Sequence, residues 1–251
     1  GYGYYDRGKG PSHLDPYDNL DQFVQDVAAY PVNFEPGADY LYGINMAILG
    51  RVVEVLSGKE FYVFLKEDIF DPLGMANTKF ELSPADRQRF QVLFKKPSPL
   101  AEGAMFDEGT SAFSSADDEL SYSPGTKAQF GGEGLVSTFD DYRRFCAMLL
   151  AKGTYDGKRI LSEQSIATMT SVMTRGGLIR GYNDGQDYAF SFFTLTEPAL
   201  DGTGSSKGIF GWSGYHNTHF WIDYQKGIYG LFMTRTFPFS SIVRCSNTKI
   251  S

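Results

Sequence analysis

The stretch PGADYLYGINMAILGRVVEVLSGKEFYVFLKEDIFDPLGM, Pro36 to Met75, decides the fold. Pro36-Gly37 opens it with a turn. After Tyr42, the apolar residues Ile44, Ile48, Val52 and Val55 recur at helical spacing. That period predicts a helix with these four on its inner face. Gly58 stands where a left-handed C-terminal cap would end it. A further helix is predicted over roughly Glu60 to Ile69, rich in Phe and Leu, with Pro72 following it as a stop.

Outward from this stretch the pattern stays helical for some distance. Residues 1–18 are rich in Gly, Tyr, Asp and Pro and read as an irregular loop. Asn19 is placed to cap a helix whose apolar face is Leu20, Phe23, Val24 and Val27, and Pro31 stops it. Residues 76–130 are the least regular; Lys79–Leu82 and Arg89–Phe94 are predicted as short strands, and Ala101–Thr126 as a polar, acidic loop suited to a flap. Phe130 to Thr138 reads FGGEGLVST, with glycines that permit sharp turns or close backbone approach. Thr138 and Asp141 resemble a capping box ahead of a helix carrying Tyr142, Phe145, Met148 and Leu149 on one side, with Cys146 as an inert buried thiol. Another helix starts near Ser162 and faces inward with Ile166 and Met169.

The remainder reads as β-structure. Tyr188–Leu195 alternates as one strand, Gly202–Gly208 is a loop, and His219–Asp223 and Ile228–Thr234 flank a hairpin turn at Tyr224–Gly227. Helices followed by hairpin strands argue for an α+β fold with an antiparallel sheet. The reading is one domain over residues 1–251, helical over about 14–170 and β-rich over about 186–240.

Composition bounds the function. The 251 residues are 42% hydrophobic and 21% charged, the usage of a globular protein with a real core. Aromatics reach 16%, so a concave apolar site is expected beside the core itself. The net charge of −7 disfavours nucleic acid as a partner. No apolar stretch approaches membrane-spanning length and no charged-then-apolar leader opens at Gly1, so a soluble chain is expected, with its compartment left open. Cys146 and Cys245 form neither a disulfide framework nor a zinc motif. His216 and His219 lie three apart without an acidic or Cys partner at ligand spacing, which disfavours a metal.

Three stretches carry a family resemblance: Pro36 to Met75; GGEGLVSTFDDYRRFCAMLLAKGTYDGKRILS, Gly131 to Ser162; and FGWSGYHNTHFWIDYQKGIYGLFMT, Phe210 to Thr234. In that order they resemble the β-lactamase-related serine hydrolases, which include class C β-lactamases, D-Ala-D-Ala carboxypeptidases, family VIII carboxylesterases and acyltransferases. The resemblance implies a β-lactamase/transpeptidase-like fold, an antiparallel sheet flanked by helices with a helical subdomain, here without the usual N-terminal part. It also implies three site motifs. S-x-x-K supplies a nucleophilic Ser and a Lys that eases removal of its proton. A Tyr motif supplies the proton-transfer partner. A K-T-G, H-x-G or W-x-G strand lines the cleft and helps to hold the oxyanion.

Tyr42-Gly43-Ile44 matches the Tyr motif. A Tyr is a poor base at neutral pH unless a nearby Lys⁺ favours the phenolate, so this role needs a lysine. The competing reading is a core Tyr at a helix start. Trp212-Ser213-Gly214 matches the strand motif in its W-x-G form, and with Tyr215 forms the implied substrate and oxyanion edge; the competing reading is a core aromatic. Lys at the Trp212 position would attract a carboxylate, whereas Trp offers an apolar face. Ile44 stands where some members have Asn. Both departures favour neutral esters or thioesters over β-lactams, and Phe192, Phe193, Trp212 and Tyr215 suit a hydrophobic acyl chain.

The 41 residues before Tyr42 contain no S-x-x-K. One occurs at the far end, Ser246-Asn247-Thr248-Lys249. Three readings of it stand: a chance match, a rearranged chain, or a sequence that omits or reorders parts of a longer protein. The expectation is acyl-serine chemistry on a small-molecule ester, with Ser246 as nucleophile, Lys249 and Tyr42 moving protons, and no metal or organic cofactor. A non-catalytic binding protein and a β-lactamase or D-Ala-D-Ala carboxypeptidase are the alternatives.

Overall fold

A computed structural model describes residues 3, 10–12, 15–91, 94–95, 127–174, 185–202 and 204–237. In chain order the elements are α1 (Leu20–Ala28), α2 (Asn45–Ser57), α3 (Phe61–Leu65), a π-helical turn (Lys66–Phe70), α4 (Asp71–Leu73), α5 (Pro84–Arg89), β1 (Phe94–Lys95), α6 (Phe139–Leu150), β2 (Thr154–Tyr155) and β3 (Lys158–Arg159). Then come α7 (Glu163–Met169), β4 (Gln186–Tyr188), β5 (Phe193–Leu195), α8 (Pro198–Asp201), β6 (Phe210–Ser213), β7 (His219–Asp223), β8 (Ile228–Phe232) and β9 (Thr236–Phe237). The chain divides into two compact units. The first draws on Gly1–Leu82 and Leu120–Ser162, the second on Ser83–Glu119, Glu163–Met173 and Gly181–Ser251.

The first unit is helical, and its core starts at α1. Asn19 accepts from the Gln22 N–H at 2.9 Å, satisfying an orphan donor of the first turn. Leu20, Phe23 and Val27 are buried at i, i+3 and i+7. The Phe23 ring meets Tyr17 and Phe130 edge-on at 5.1 and 4.8 Å. The helix α2 begins at the expected place and ends on Gly58 at φ 68. Its inner face differs from the periodicity reading. Ile44, Ala47 and Gly50 are buried, whereas Val52 and Val55 are exposed. The small residues decide this: a Cβ on Gly50 would lie 3.1 Å from Leu20, so α1 approaches α2 on the Ala47–Gly50 side.

Pro72 lies inside the helical run rather than beyond it. The π turn explains this. The Asp71 N–H reaches back to the Lys66 carbonyl, widening the ladder just before a residue that has no N–H to give. Gly74 at φ 69 then ends the run.

Only half of the expected capping box forms at α6. The Asp141 N–H donates to Thr138 Oγ1 at 3.3 Å. The Asp141 carboxylate turns elsewhere, accepting from the Asn77 N–H at 2.7 Å and Thr78 Oγ1 at 3.1 Å. Arg144 approaches the same carboxylate at 3.2 Å. A backbone bridge, Lys79 with Val136, runs alongside, so Lys79–Leu82 forms a single bridge and no strand. Cys146 is buried in α6, and burial pushes its thiol up to about 12.

The second unit holds the sheet, five antiparallel strands in the order β4-β5-β6-β7-β8. Phe210, Ile222 and Phe220 are buried along β6 and β7, with Phe192 against Phe210 and Phe220. The α+β architecture with an antiparallel sheet therefore holds. Two local expectations do not. Tyr188–Leu195 is a hairpin of two short strands, because Ser191 adopts φ 65 and the Ala189 N–H closes on the Phe192 carbonyl at 2.8 Å. Before β1, Pro84–Arg89 is helical where the sequence reading began a strand at Arg89. Ser83 and Asp86 form a full capping box with Pro84 in the first turn, a signal present in the sequence and overlooked. The Tyr224–Gly227 turn forms as predicted, with the buried Asp223 carboxylate accepting from the Gln225 and Lys226 N–H groups. The segment Ala101–Thr126 lies outside the described residues. No helix among the described residues is long and apolar enough to cross a membrane.

Asp141→Ala should destabilise the chain by about 2–4 kcal/mol, because it removes the partner of the Asn77 N–H, one of the two partners of the buried Thr78 hydroxyl and the ion pair of Arg144. Thr138→Ala should cost about 1 kcal/mol as a lost cap. Urea denaturation of both variants checks the ranking.

Candidate active site

Tyr42 lies in the first unit, on the extended segment leading into α2. It is 48% exposed, which removes the reading of it as a core tyrosine. Ile44, two residues on, is buried and anchors the segment. The Gly131-Gly132 turn lies against the first turn of α2. A Cβ on Gly131 would overlap the Met46 carbonyl, and one on Gly132 would come within 3.3 Å of the Met46 side chain. The glycines of this loop are therefore a close-approach device beside the Tyr42 segment.

A shallow recess opens here, lined by Gly43, Ile44, Met46, Gly132 and Glu133 together with Phe23 and Phe130. Burial pushes the Glu133 carboxyl up to about 8. It is thus held protonated at neutral pH and able to donate a hydrogen bond. Glu133 escaped the sequence reading, although an acid set among glycines in GGEGL was a visible oddity.

Trp212, Ser213, Gly214 and Tyr215 lie in the second unit, at the end of β6 and in the turn after it. The Trp212 ring meets Tyr188 edge-on at 5.5 Å. Tyr215 is mostly exposed. Ser213 faces His219 across the β6–β7 ladder, with Oγ 2.7 Å from Nδ1. Burial lowers the His219 pKa, which favours the neutral ring. Gly214 closes the turn. Its N–H donates to the Thr218 carbonyl at 2.7 Å, and a Cβ there would overlap the Thr218 hydroxyl.

Among the described residues, the β5 neighbour of this strand stops short of its end. The ladder between β5 and β6 consists of Phe193 with Gly211 and Thr194 with Phe210. Beyond Gly211, the Ser191 turn carries β5 away, and no described strand pairs with Trp212 or Ser213 on that side. Backbone groups alternate along a strand. The Ile209 carbonyl accepts from Leu195 on the β5 side, while the Gly214 N–H points to the β7 side. Ser213 shares the parity of Ile209, so its N–H and C=O face the β5-side edge. The backbone donor available on the edge therefore belongs to Ser213, and the Gly214 N–H is already engaged. Phe192, read from sequence as part of an acyl-chain surface, is buried among Phe210 and Phe220 and serves the core. Ser246 and Lys249 lie outside the described residues.

An antiparallel sheet with such an edge strand, together with helices built on the Tyr42 segment, defines the β-lactamase/transpeptidase-like class of fold. The solved structure of EstCE1, described as a hydrolase with promiscuous acyltransferase activity, superposes with a TM-score of 0.72 at 22% identity, covering 93% of this chain and 64% of that one. The Beta-lactamase family model matches residues 1–244, and the chain belongs to that family. It is 27% identical over 232 residues to Protein Rv1367c of Mycobacterium tuberculosis (strain ATCC 25618 / H37Rv), covering 88% of this chain and 55% of that protein. It is 26% identical over 239 residues to Esterase EstB of Burkholderia gladioli, covering 92% and 59% respectively. The chain thus spans little more than half the length of these curated relatives.

Glu133 generates a pH prediction. Its folded carboxyl keeps a proton up to about pH 8, whereas the unfolded one loses it near the ordinary value of 4.5. The folded state binds more protons between those limits, so this group's contribution to stability falls as pH rises through them and levels off above. Glu133→Gln should therefore stabilise the chain by on the order of 2–4 kcal/mol at about pH 9 and by much less at about pH 5. Chemical denaturation at the two pH values reads the difference.

Proposed function

We propose that the chain serves serine-ester chemistry, cleaving carboxylic esters or transferring their acyl groups through an acyl-serine intermediate. The observation that carries this reading is the β5-side edge of β6 headed by Trp212. A backbone N–H directed at such an edge, as that of Ser213 is, is suited to hold an acyl carbonyl oxygen. An apolar indole at its head favours a neutral acyl chain over a carboxylate. The relationship to EstB and the fold shared with EstCE1 support the same chemical class.

In this reading Ser246 Oγ attacks the ester carbonyl carbon and its proton passes to Lys249 or Tyr42. The carbonyl oxygen takes the negative charge, and the Ser213 N–H on the β6 edge receives it. Collapse breaks the C–O bond to the alcohol, which leaves with a proton. Water, or a second alcohol, then attacks the acyl-serine and releases the acid or the new ester. Every step is a proton or acyl transfer, so the side chains named are sufficient reactants.

The exposed position of Tyr42 suits a proton-transfer group, which must reach solvent or substrate. A phenol needs help to ionise near neutral pH, and Lys249 is the cation in this reading.

The experiment is turnover of 4-nitrophenyl butyrate, combined with fluorophosphonate labelling and peptide mapping. An adduct on Ser246 is expected, lost on Lys249→Ala. Tyr42→Phe should lower kcat/KM by about 10²–10⁴-fold. Nitrocefin should turn over far more slowly than the ester. A folded sample with neither adduct nor ester turnover overturns the reading in favour of a binding protein, and nitrocefin hydrolysis at a comparable rate overturns the choice of esters.

A further inference from the structure

The Ser213–His219 pair is fixed by the ladder. Register partners on adjacent antiparallel strands share one face of the sheet, so the two side chains are held opposite one another by the backbone. On its other side His219 is paired with Phe232 of β8, whose ring lies 6.3 Å away, so the imidazole stands between two strands. The 2.7 Å contact from Nδ1 to Ser213 Oγ is then a well-formed hydrogen bond. Ser213 is also the residue whose N–H and C=O face the β5-side edge. One residue thus carries both the backbone groups that face this edge and a hydroxyl tied to the neighbouring strand.

We infer that His219 is a positioning residue for the acyl-binding edge of β6, acting through the Ser213 hydroxyl. The inference rests on the reading of Trp212-Ser213-Gly214 as the substrate edge. The β5–β6 ladder ends at Gly211, so no described β5 residue pairs with Ser213 to hold its backbone from that side. The cross-strand bond to the imidazole restrains that residue from the side chain. It keeps the Ser213 N–H and C=O aligned along the edge, and it sets which lone pairs and which proton of the hydroxyl remain for a ligand. The burial of His219 favours a neutral ring, which can accept the Ser213 proton and leave the hydroxyl oxygen as an acceptor toward the edge.

The three-residue spacing of His216 and His219 is explained differently by the two residues. His216 lies in the turn, its ring against Tyr215 at 5.2 Å. His219 is on the strand. The pair that matters is Ser213 with His219, six apart in sequence and adjacent only through the hairpin.

The test uses the whole chain with 4-nitrophenyl butyrate as substrate and 4-nitrobutyranilide, its amide counterpart, as a binding probe. Trp212 and Trp221 are the two tryptophans of the chain, both on β6 and β7, so nitrophenyl quenching of their fluorescence reports binding at this edge. His219→Phe should weaken the Kd and raise KM about tenfold, with kcat changed less than about threefold, the size of one lost neutral hydrogen bond. Ser213→Ala, which removes one oxygen and leaves the ladder intact, should have the same effect. The double variant should be no worse than either single, because both act through one bond. His219→Asn, whose amide places a polar atom where Nδ1 stands, should recover to within about threefold of the parent.

An unchanged Kd and KM in Ser213→Ala and His219→Phe overturns the proposal, as do losses that multiply in the double variant or a His219→Asn variant no better than His219→Phe. If no ester is turned over, the ester reading falls while the Kd comparison still decides the role of His219. Absence of any quenching by the amide overturns the positioning role as well.

Discussion

The carboxylate of Asp141, sunk at the N-terminal end of α6, holds the first unit together where it matters for Tyr42. It accepts from the Asn77 N–H and the Thr78 hydroxyl, and Arg144 adds a third contact. Thr78 also shares a 2.8 Å hydrogen bond with Ser137, and Lys79 bridges Val136. The loop 131–138 is therefore tied along the 77–79 segment. That tether sets where Gly131 and Gly132 meet the Met46 turn, and Met46 follows Tyr42 by only four residues. A buried charge is tolerated in such a place because each of its partners is itself fixed to backbone.

In the second unit the governing constraint is a missing interaction. A central strand normally spends its backbone groups on both neighbours. Here β5 turns away at Ser191, and among the described residues the end of β6 has a strand neighbour on the β7 side alone. The β5–β6 ladder ends early, and what remains of β6 is stiffened from the other side. Gly214 secures the turn through Thr218, and His219 grips Ser213 from the adjacent strand. Trp212 lies at the end of β6 in T-shaped contact with Tyr188, so its indole is supported by an aromatic neighbour.

Two titratable groups, Glu133, which the sequence reading passed over, and His219, which it weighed only as a metal ligand, share a cause. Each is displaced from its ordinary titration range by burial. Burial is a property of the surroundings, so neither composition nor spacing reveals it. A carboxyl that stays protonated and an imidazole that stays neutral are uncharged hydrogen-bonding groups at neutral pH. Both sit on the segments that also carry the family motifs, the GGEGL loop and the strand after W-S-G.

What the sequence determined by itself was a set of local helices, caps and turns. Helical spacing from Leu20 to Val27, the Asn19 and Thr138 caps, the Gly58 stop and the Tyr224–Gly227 turn are local effects, set by residues within a few positions of each other, and each formed as read. The three motif stretches also determined the family, because they lie in order along the chain. Tertiary structure decided which face of α2 turns inward, since Ala47 and Gly50 matter only once α1 is there to approach them. It decided that Asp141 would leave its cap for Asn77 and Thr78, that Phe192 would fill the core, and that Ser213 rather than Gly214 would present its N–H at the edge. These are contacts between residues distant in sequence, where register and close approach outweigh any preference a single segment carries.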